Sequence, residues 1–155
     1  KHPAIHLKML SYDYAFDACL LPLNVLDGTF RSFEQQVLPE LNRRGIAPLG
    51  MKTFGGEGTM IKKRIVTAAE ALRYGMSLPV AATVSGMDSL KVLKQNLRVA
   101  CGFTPMTDGE MQQLRTRCAA EAADGRFEMY KTSIKFDGPH GRKQHKFPAM
   151  DKLVA

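Results

Sequence analysis

Cysteine is scarce in this chain, and long apolar runs are missing from it. Cys19, Cys101 and Cys118 are an odd number of thiols, set far apart, with no C-x-x-C pair among them. That excludes the usual spacing of a zinc site or a redox motif. They read as reduced, half-buried core cysteines, which fits a reducing compartment and an expected cytoplasmic location. No apolar stretch approaches the roughly 18 residues of a transmembrane helix, so no membrane partner is expected. An initiator Met, a signal peptide and a leader are also missing. Residue 1 is Lys1, and Pro3-Ala4-Ile5-His6-Leu7 already reads as the start of a helix. The expectation is a chain that begins inside a longer protein.

What is present is ordinary in amount and basic in balance. The 155 residues suit one domain, with 45% hydrophobic and 24% charged positions. Net charge is +7 and the pI about 9.5. Such a balance can serve nucleic acid, a membrane surface or an anionic cofactor. The densest basic runs are Lys62-Lys63-Arg64 and Gly141-Arg142-Lys143-Gln144-His145-Lys146. Neither interleaves the aromatics of a single-strand platform, so both read as solvated surface. His2 and His6 share a helix face at a spacing of four. Without a Glu or a third ligand beside them they read as a helix start and a surface residue, and no metal is expected.

Along the chain, helix and strand patterns alternate. Residues 4–11 place Ile5, Met9 and Leu10 at helical spacing. Residues 18–23 form a short apolar run, with Pro22 expected near the end of a buried strand because it lacks an N–H. Ser32-Phe33-Glu34-Gln35 is a capping box that opens a helix to about Arg44, kinked at Pro39 and closed by Gly45. Residues 46–51 are a second apolar strand, followed by the Gly-rich Lys52-Thr53-Phe54-Gly55-Gly56-Glu57-Gly58. A second box, Thr67-Ala68-Ala69-Glu70, opens a helix over 67–78 that buries Ala71, Leu72 and Leu78 and stops at Pro79. The third strand, 80–84, leads into Ser85-Gly86-Met87-Asp88-Ser89. A helix over 89–101 follows, with Leu90, Leu93, Leu97 and Ala100 on one face. Thr107-Asp108-Gly109-Glu110 starts a last helix, over 108–123. Residues 1–124 therefore form the patterned unit. From Gly125 to residue 155 no period is visible, and an irregular tail draped over the helices is expected.

Strands that alternate with helices across short connections predict βα units in a parallel sheet. Three strands are too few to close a barrel, and an eight-stranded βα barrel takes about 250 residues. Ligands in such barrels bind at the loops beyond the C-terminal strand ends, where both glycine-containing loops are expected here. The fold expected is thus α/β, the C-terminal half of a (β/α)8 TIM barrel.

Four segments then carry a resemblance in register. They are Pro22-Leu23-Asn24-Val25-Leu26-Asp27, Leu49 through Gly56, Leu72 through Pro79, and Val84 through Ser89, with Gln95-Asn96 closing the last. In these segments the chain resembles the aldo/keto reductases, and closely a bacterial subgroup, from Lys1 to about Tyr130. The resemblance implies strands six, seven and eight of the barrel, in an enzyme that moves hydride between a nicotinamide and a carbonyl. The family's general acid is a Tyr assisted by an Asp, a Lys and a His, all on strands two to four. None of these lies in this chain, so no catalytic residue is assigned, and Tyr12, Tyr14, Tyr74 and Tyr130 are not put in their place.

The cofactor side is what the resemblance carries over. Leu20 stands where the family has a Gln on the carboxamide, and Met51 where an aromatic stacks on the nicotinamide. Lys52, Thr53, Phe54 and Gly55 fall in the loop beside the pyrophosphate. Gly86, Met87, Asp88 and Ser89 precede the helix whose N-terminus faces a phosphate. Gln95 and Asn96 fall where the family reads the adenine edge. The cations that grip a 2′-phosphate are replaced by Gly86 and Val92, with Asp88 adjacent and Lys91 and Lys94 as the nearest substitutes. NAD and NADP both stay open as cofactors. The partners implied are that cofactor, a small carbonyl substrate, and the N-terminal half of the barrel or a second copy of the chain. The competing reading is a non-catalytic basic half-barrel for nucleic acid or a protein partner. It would need Lys and Arg gathered on one face, whereas a dinucleotide needs a few charges at loop glycines, so nucleic acid is not the expected partner.

Overall fold

The three apolar runs become three parallel strands in the computed structural model, which describes residues 2–12, 14–133, 138–144 and 146. They are β1 (Ala18–Pro22), β2 (Ala47–Met51) and β3 (Ala82–Thr83), in the order β1-β2-β3. Pro22 ends its strand, as a residue without an N–H should. The third strand is shorter than the expected 80–84. Its flanks still reach the sheet, with Ala81 N donating to Pro48 O at 2.9 Å and Val84 N to Gly50 O at 2.7 Å. Among the described residues the sheet has these three strands and does not close. The chain is mixed α/β with a small parallel sheet.

Helices follow the capping signals, with two revisions. Helix α1 is Pro3–Leu10. The expected helix to Arg44 is two pieces, α2 (Phe33–Gln36) and α3 (Leu38–Arg44), joined at Val37 with φ −100°. Pro39 cannot donate to the carbonyl of Gln35 and its ring crowds that carbonyl, so the break falls one turn earlier. Gly45 closes α3 in the left-handed region at φ +69°. The Ser32 box is half-formed. Ser32 Oγ accepts from Gln35 N at 3.0 Å, but the Gln35 side chain donates to Gly28 O instead of returning to the cap. Helix α4 (Thr59–Lys62) is a single turn directly after the Gly-rich stretch, opened by Gly58. Helix α5 (Ala68–Ser77) has its capping box complete, as does α7 (Asp108–Arg117). Between them runs α6 (Leu90–Cys101). The last expected helix also splits. At Cys118 the amide is shared between Leu114 O and Arg115 O, and α8 (Ala119–Ala122) continues beyond it.

The helices cover one face of the sheet. Leu21, Gly50 and Thr83 are paired across it, and Thr83 Oγ1 donates to Gly75 O of α5 at 3.3 Å. Gly75 also lets Thr53 pack against α5, since a Cβ there would stand 2.7 Å from Thr53 Cγ2. The core joins Leu21, Leu23 and Leu26 to Phe33, Leu41, Tyr74, Leu114 and Cys118, all 0–4% exposed. Each fully buried side chain of this kind contributes about 1.5–3 kcal/mol. The other face is bare among the described residues. Leu20, Leu49 and Ala82 stand level across it, and Leu20 is half exposed. The expected apolar stripe of α6 is uncovered as well: Leu90, Leu97 and Ala100 are exposed, and only Asn96 of that helix is buried. Ile5 and Met9 of α1 are likewise exposed. Parallel sheets are nearly always covered on both faces, and among the described residues this one is covered on one.

The tail departs from expectation in place and in structure. Residues 125–133 include α9 (Met129–Thr132), and α10 (Pro139–Gln144) lies beyond them. The stretch lies on the loops beyond the C-terminal ends of β1 and β2, not over the helices. Phe127 O would meet a Cβ on Gly55 at 3.0 Å, and the Tyr130 ring flanks Gly56. The expected course of 134–137, residue 145 and 147–155 lies outside the described residues. Among the described residues no helix is long and apolar enough to cross a membrane.

His6 is half-buried, not a surface residue. Its ring meets Phe33 edge-on at 5.0 Å between centroids. The three cysteines are free thiols, and they differ: Cys19 is half-buried, Cys101 exposed and Cys118 buried.

Candidate functional site

Because β2 and β3 run parallel, the loops that leave them open at the same end of the sheet. Between these loops lies a groove of about 550 Å³, within the usual size range of a ligand site. Lys52, Thr53, Phe54, Gly56, Glu57, Gly58, Ile61 and Lys62 supply one wall. Val84, Gly86, Met87 and Asp88 supply the other, with Val92 and Gln95 of α6 behind them. Seven of the twelve residues singled out in the sequence therefore meet here: Lys52, Thr53, Phe54, Gly86, Met87, Asp88 and Gln95.

The other five lie elsewhere. Leu20 is on the bare face of β1, and Met51 ends β2, half-buried on that same open side. Gly55, at φ +71°, is packed beneath Phe127 and Met60. Its neighbour Gly56, at φ +93°, is the glycine that reaches the groove. Ser89 caps α6, its Oγ accepting from Val92 N at 3.2 Å. Asn96 is buried and donates to Ser85 Oγ at 3.1 Å, which ties α6 to the loop after β3.

The chemistry of the groove is balanced. Lys52 and Lys62 bring two positive charges, and Glu57 and Asp88 two negative ones. It is no broad cationic funnel, so attraction for an anion comes from placed groups. Lys52 holds a left-handed backbone at φ +57°, which is strained for a side chain with a Cβ and costs of order 1 kcal/mol or more. The first turn of α6 carries no acid, while Ser89 Oγ takes the Val92 amide and Asp88 stands one residue before the cap. Around Gly86 nothing stands within 4 Å of where a Cβ would be, so its backbone faces open space. Exposed backbone, a fixed cation and a twelve-residue helix terminus are what a pyrophosphate needs. Gln95 adds an amide that can donate and accept toward a base.

A second cluster lies under the tail, unannounced by any motif. Lys131 is fully buried. Its Nζ donates to Asp27 Oδ1 at 2.6 Å, Glu128 Oε2 at 2.8 Å and Phe30 O at 2.8 Å. Glu34 N donates to Asp27 Oδ2 at 2.7 Å, and Asn24 Nδ2 to Glu128 Oε1 at 2.9 Å. The Tyr130 hydroxyl donates to Glu128 and accepts from Asn24 Nδ2. Burial pushes the Asp27 carboxyl up, and Lys131 pulls it back. The one sequence signal was Asp27 itself, an acid closing an apolar run with no partner nearby. A Tyr, a Lys and an Asp together invite comparison with a catalytic set. Here, however, the Lys is spent on two carboxylates, and burial drives the Tyr130 phenol far above its ordinary range. The cluster is a clamp between the tail and the loop after β1.

Tyr74 makes a similar knot on the helix side. Its hydroxyl donates to Glu34 Oε2 at 2.7 Å, and Arg115 Nη1 reaches both at 3.0 and 3.2 Å. Burial first, then the Glu34 charge, raise its phenol well above the ordinary value near 10. Tyr74 and Tyr130 thus keep their protons when folded at pH values where an unfolded tyrosine loses its own. The folded state then binds more protons, so stability is expected to fall as pH climbs past about 10, by about 1.4 kcal/mol per pH unit per phenol. Unfolding monitored against pH, with phenolate absorbance followed alongside, checks this. Ionisation of all four tyrosines before unfolding would contradict it.

No family model, curated protein or solved structure matches the chain.

Proposed function

We propose that this chain supplies the dinucleotide-binding end of an NAD(P)-dependent aldo/keto reductase barrel. The observation that carries the reading is the groove. It lies at the C-terminal ends of adjacent parallel strands, where α/β folds bind phosphate, and it gathers Lys52, Gly86 and Gln95 with the α6 terminus. The bare face of the sheet supports the barrel. Leu20, Leu49 and Ala82 would point into its interior, and the remaining strands would cover them. In this reading Lys52 and the amides around Gly86 hold the pyrophosphate, and Gln95 faces the adenine. When bound, the cofactor supplies the hydride. Leu20 and Met51, toward the barrel interior, lie on the nicotinamide side, and the residues that move the proton come from the other half.

The adenosine diphosphate portion of the cofactor is the part this chain would hold by itself. Titration calorimetry with ADP is expected to show binding near the millimolar range, since an open half-site gives up enclosure. Lys52→Met is expected to weaken it about tenfold, through loss of a charged hydrogen bond worth about 1.5 kcal/mol. No ADP binding, or no effect of Lys52→Met, would reject the proposal. Binding of duplex DNA with a steep salt dependence would favour the basic half-barrel reading instead.

A further inference from the structure

The tail reaches the groove through one side chain. Lys52 Nζ sits over the Tyr130 ring, 5.3 Å from its centroid. We infer that Tyr130 is a positioning residue for Lys52, holding its ammonium at the groove so that the tail sets the charge an anionic ligand meets. The inference rests on the groove being the adenine dinucleotide site proposed above.

Both partners are fixed. The left-handed turn at Lys52 is closed by Gly55 N donating to Lys52 O at 2.8 Å. A lysine on such a turn still has a long, mobile stem, and its rotamer freedom is lost when it grips a phosphate. The aromatic face removes part of that freedom beforehand, since a cation over a ring is attracted by its quadrupole. The ring in turn has no freedom to follow the lysine. Its hydroxyl is tied to Glu128 and Asn24, and its edge lies beside Gly56. Glu128 is locked by the buried Lys131. A rigid path thus runs from Lys131 through Glu128 and Tyr130 to Lys52. A second tail aromatic repeats the arrangement at the far end of the same loop, with Lys63 Nζ 5.3 Å over the Phe127 ring.

The test uses the whole chain with Tyr130→Phe, Tyr130→Leu and Lys52→Met, and ADP as the probe. The NMR shift of the Lys52 ε-methylene reports the ring current of Tyr130 without any ligand. Phe keeps the ring and loses the hydroxyl bonds to Glu128 and Asn24 that fix it, so Y130F is expected to retain most of the upfield shift and to bind ADP about twofold more weakly than the unaltered chain. Y130L is expected to lose the shift and bind about fivefold more weakly, with no further loss when combined with Lys52→Met. Thermal melts of each variant establish that it is folded; if Y130L is not, a Lys52 ε-methylene at its random-coil shift in the unaltered chain overturns the inference by itself. Full ADP affinity in Y130L, or an equal loss from Y130L in the Lys52→Met background, would overturn the inference, as would an ε-methylene shift that is the same with and without the ring. Absence of ADP binding by the unaltered chain would overturn the functional reading, while the shift would still decide whether the ring holds the lysine.

Discussion

Lys131→Met is expected to destabilise the chain by about 3–5 kcal/mol, the cost of stranding a buried opposite charge. Lys131 and its two partners, Asp27 and Glu128, have no exposed side-chain surface. Methionine matches the length of the lysine stem, so little packing is lost and the effect is electrostatic. Among the described residues the ammonium is the only positive group bonded to either carboxylate. Without it Asp27 and Glu128 must stay ionised in a dry site or take up protons, and both routes cost. For a chain of this size the melting temperature should drop by roughly 6–20 °C. Adding Asp27→Asn and Glu128→Gln should recover much of the loss, because a buried cluster removed as a whole is far less costly than one left half-paired. Urea unfolding followed by circular dichroism measures both. A loss under about 1 kcal/mol would mean that water reaches the cluster and that the clamp does not hold the tail.

Gly125→Ala should be the next most damaging change, at about 2–5 kcal/mol. Two independent terms make it up. Gly125 has φ +71°, where a Cβ costs about 1–2 kcal/mol. The added methyl would also stand 2.6 Å from Phe30 Cδ1, 2.8 Å from Phe30 Cε1 and 3.1 Å from Thr132 Cγ2. Overpacking of that kind costs about 1–3 kcal/mol. Gly45→Ala separates the two terms. Gly45 has nearly the same backbone, φ +69°, with nothing within 4 Å of the new methyl, so only the conformational cost of about 1–2 kcal/mol should be seen. Equal unfolding free energies for the two variants would show that the tail shifts freely away from Phe30.

The strands and the starts of the helices were readable because their causes are local. Thr67 with Glu70 and Thr107 with Glu110 are complete capping boxes, and each occupies the few residues a reader can scan at once. The parallel alternation followed from apolar runs separated by helical periods. Helix continuity was harder. Pro39 gave warning of a break, but its effect falls at Val37, and nothing at Cys118 marks the end of α7. Lys52, Gly86 and Asp88 come together at one groove because a loop that follows a strand has a defined place in a βα fold, whereas Gln95, on α6, was singled out by the resemblance alone. Gly55 and Gly56 could not be told apart in sequence, since the tail decides which of them is covered. The clamp was invisible for a related reason. Lys131 lies in a stretch with no period, and its partner Asp27 is 104 residues away. The uncovered stripe of α6 shows the reverse difficulty: an apolar pattern tells that a face is to be buried and not by what.

That separation of 104 residues has a consequence for the order of events in folding. Loop-closure entropy rises with the logarithm of loop length, so joining Lys131 to Asp27 directly costs about 1 kcal/mol more than joining β1 to β2 across the far shorter segment from Ala18 to Ala47. Contacts of high sequence separation form slowly unless intervening structure shortens the effective loop. The sheet and its helices are therefore expected to assemble before the clamp closes, with the tail folding last onto a surface already made. Run backwards, the same order makes the tail the first part to leave. Lys52 would then lose its aromatic seat while β1, β2 and the groove walls are still in place, so brief partial openings would change the ligand end of the molecule long before the whole chain unfolds.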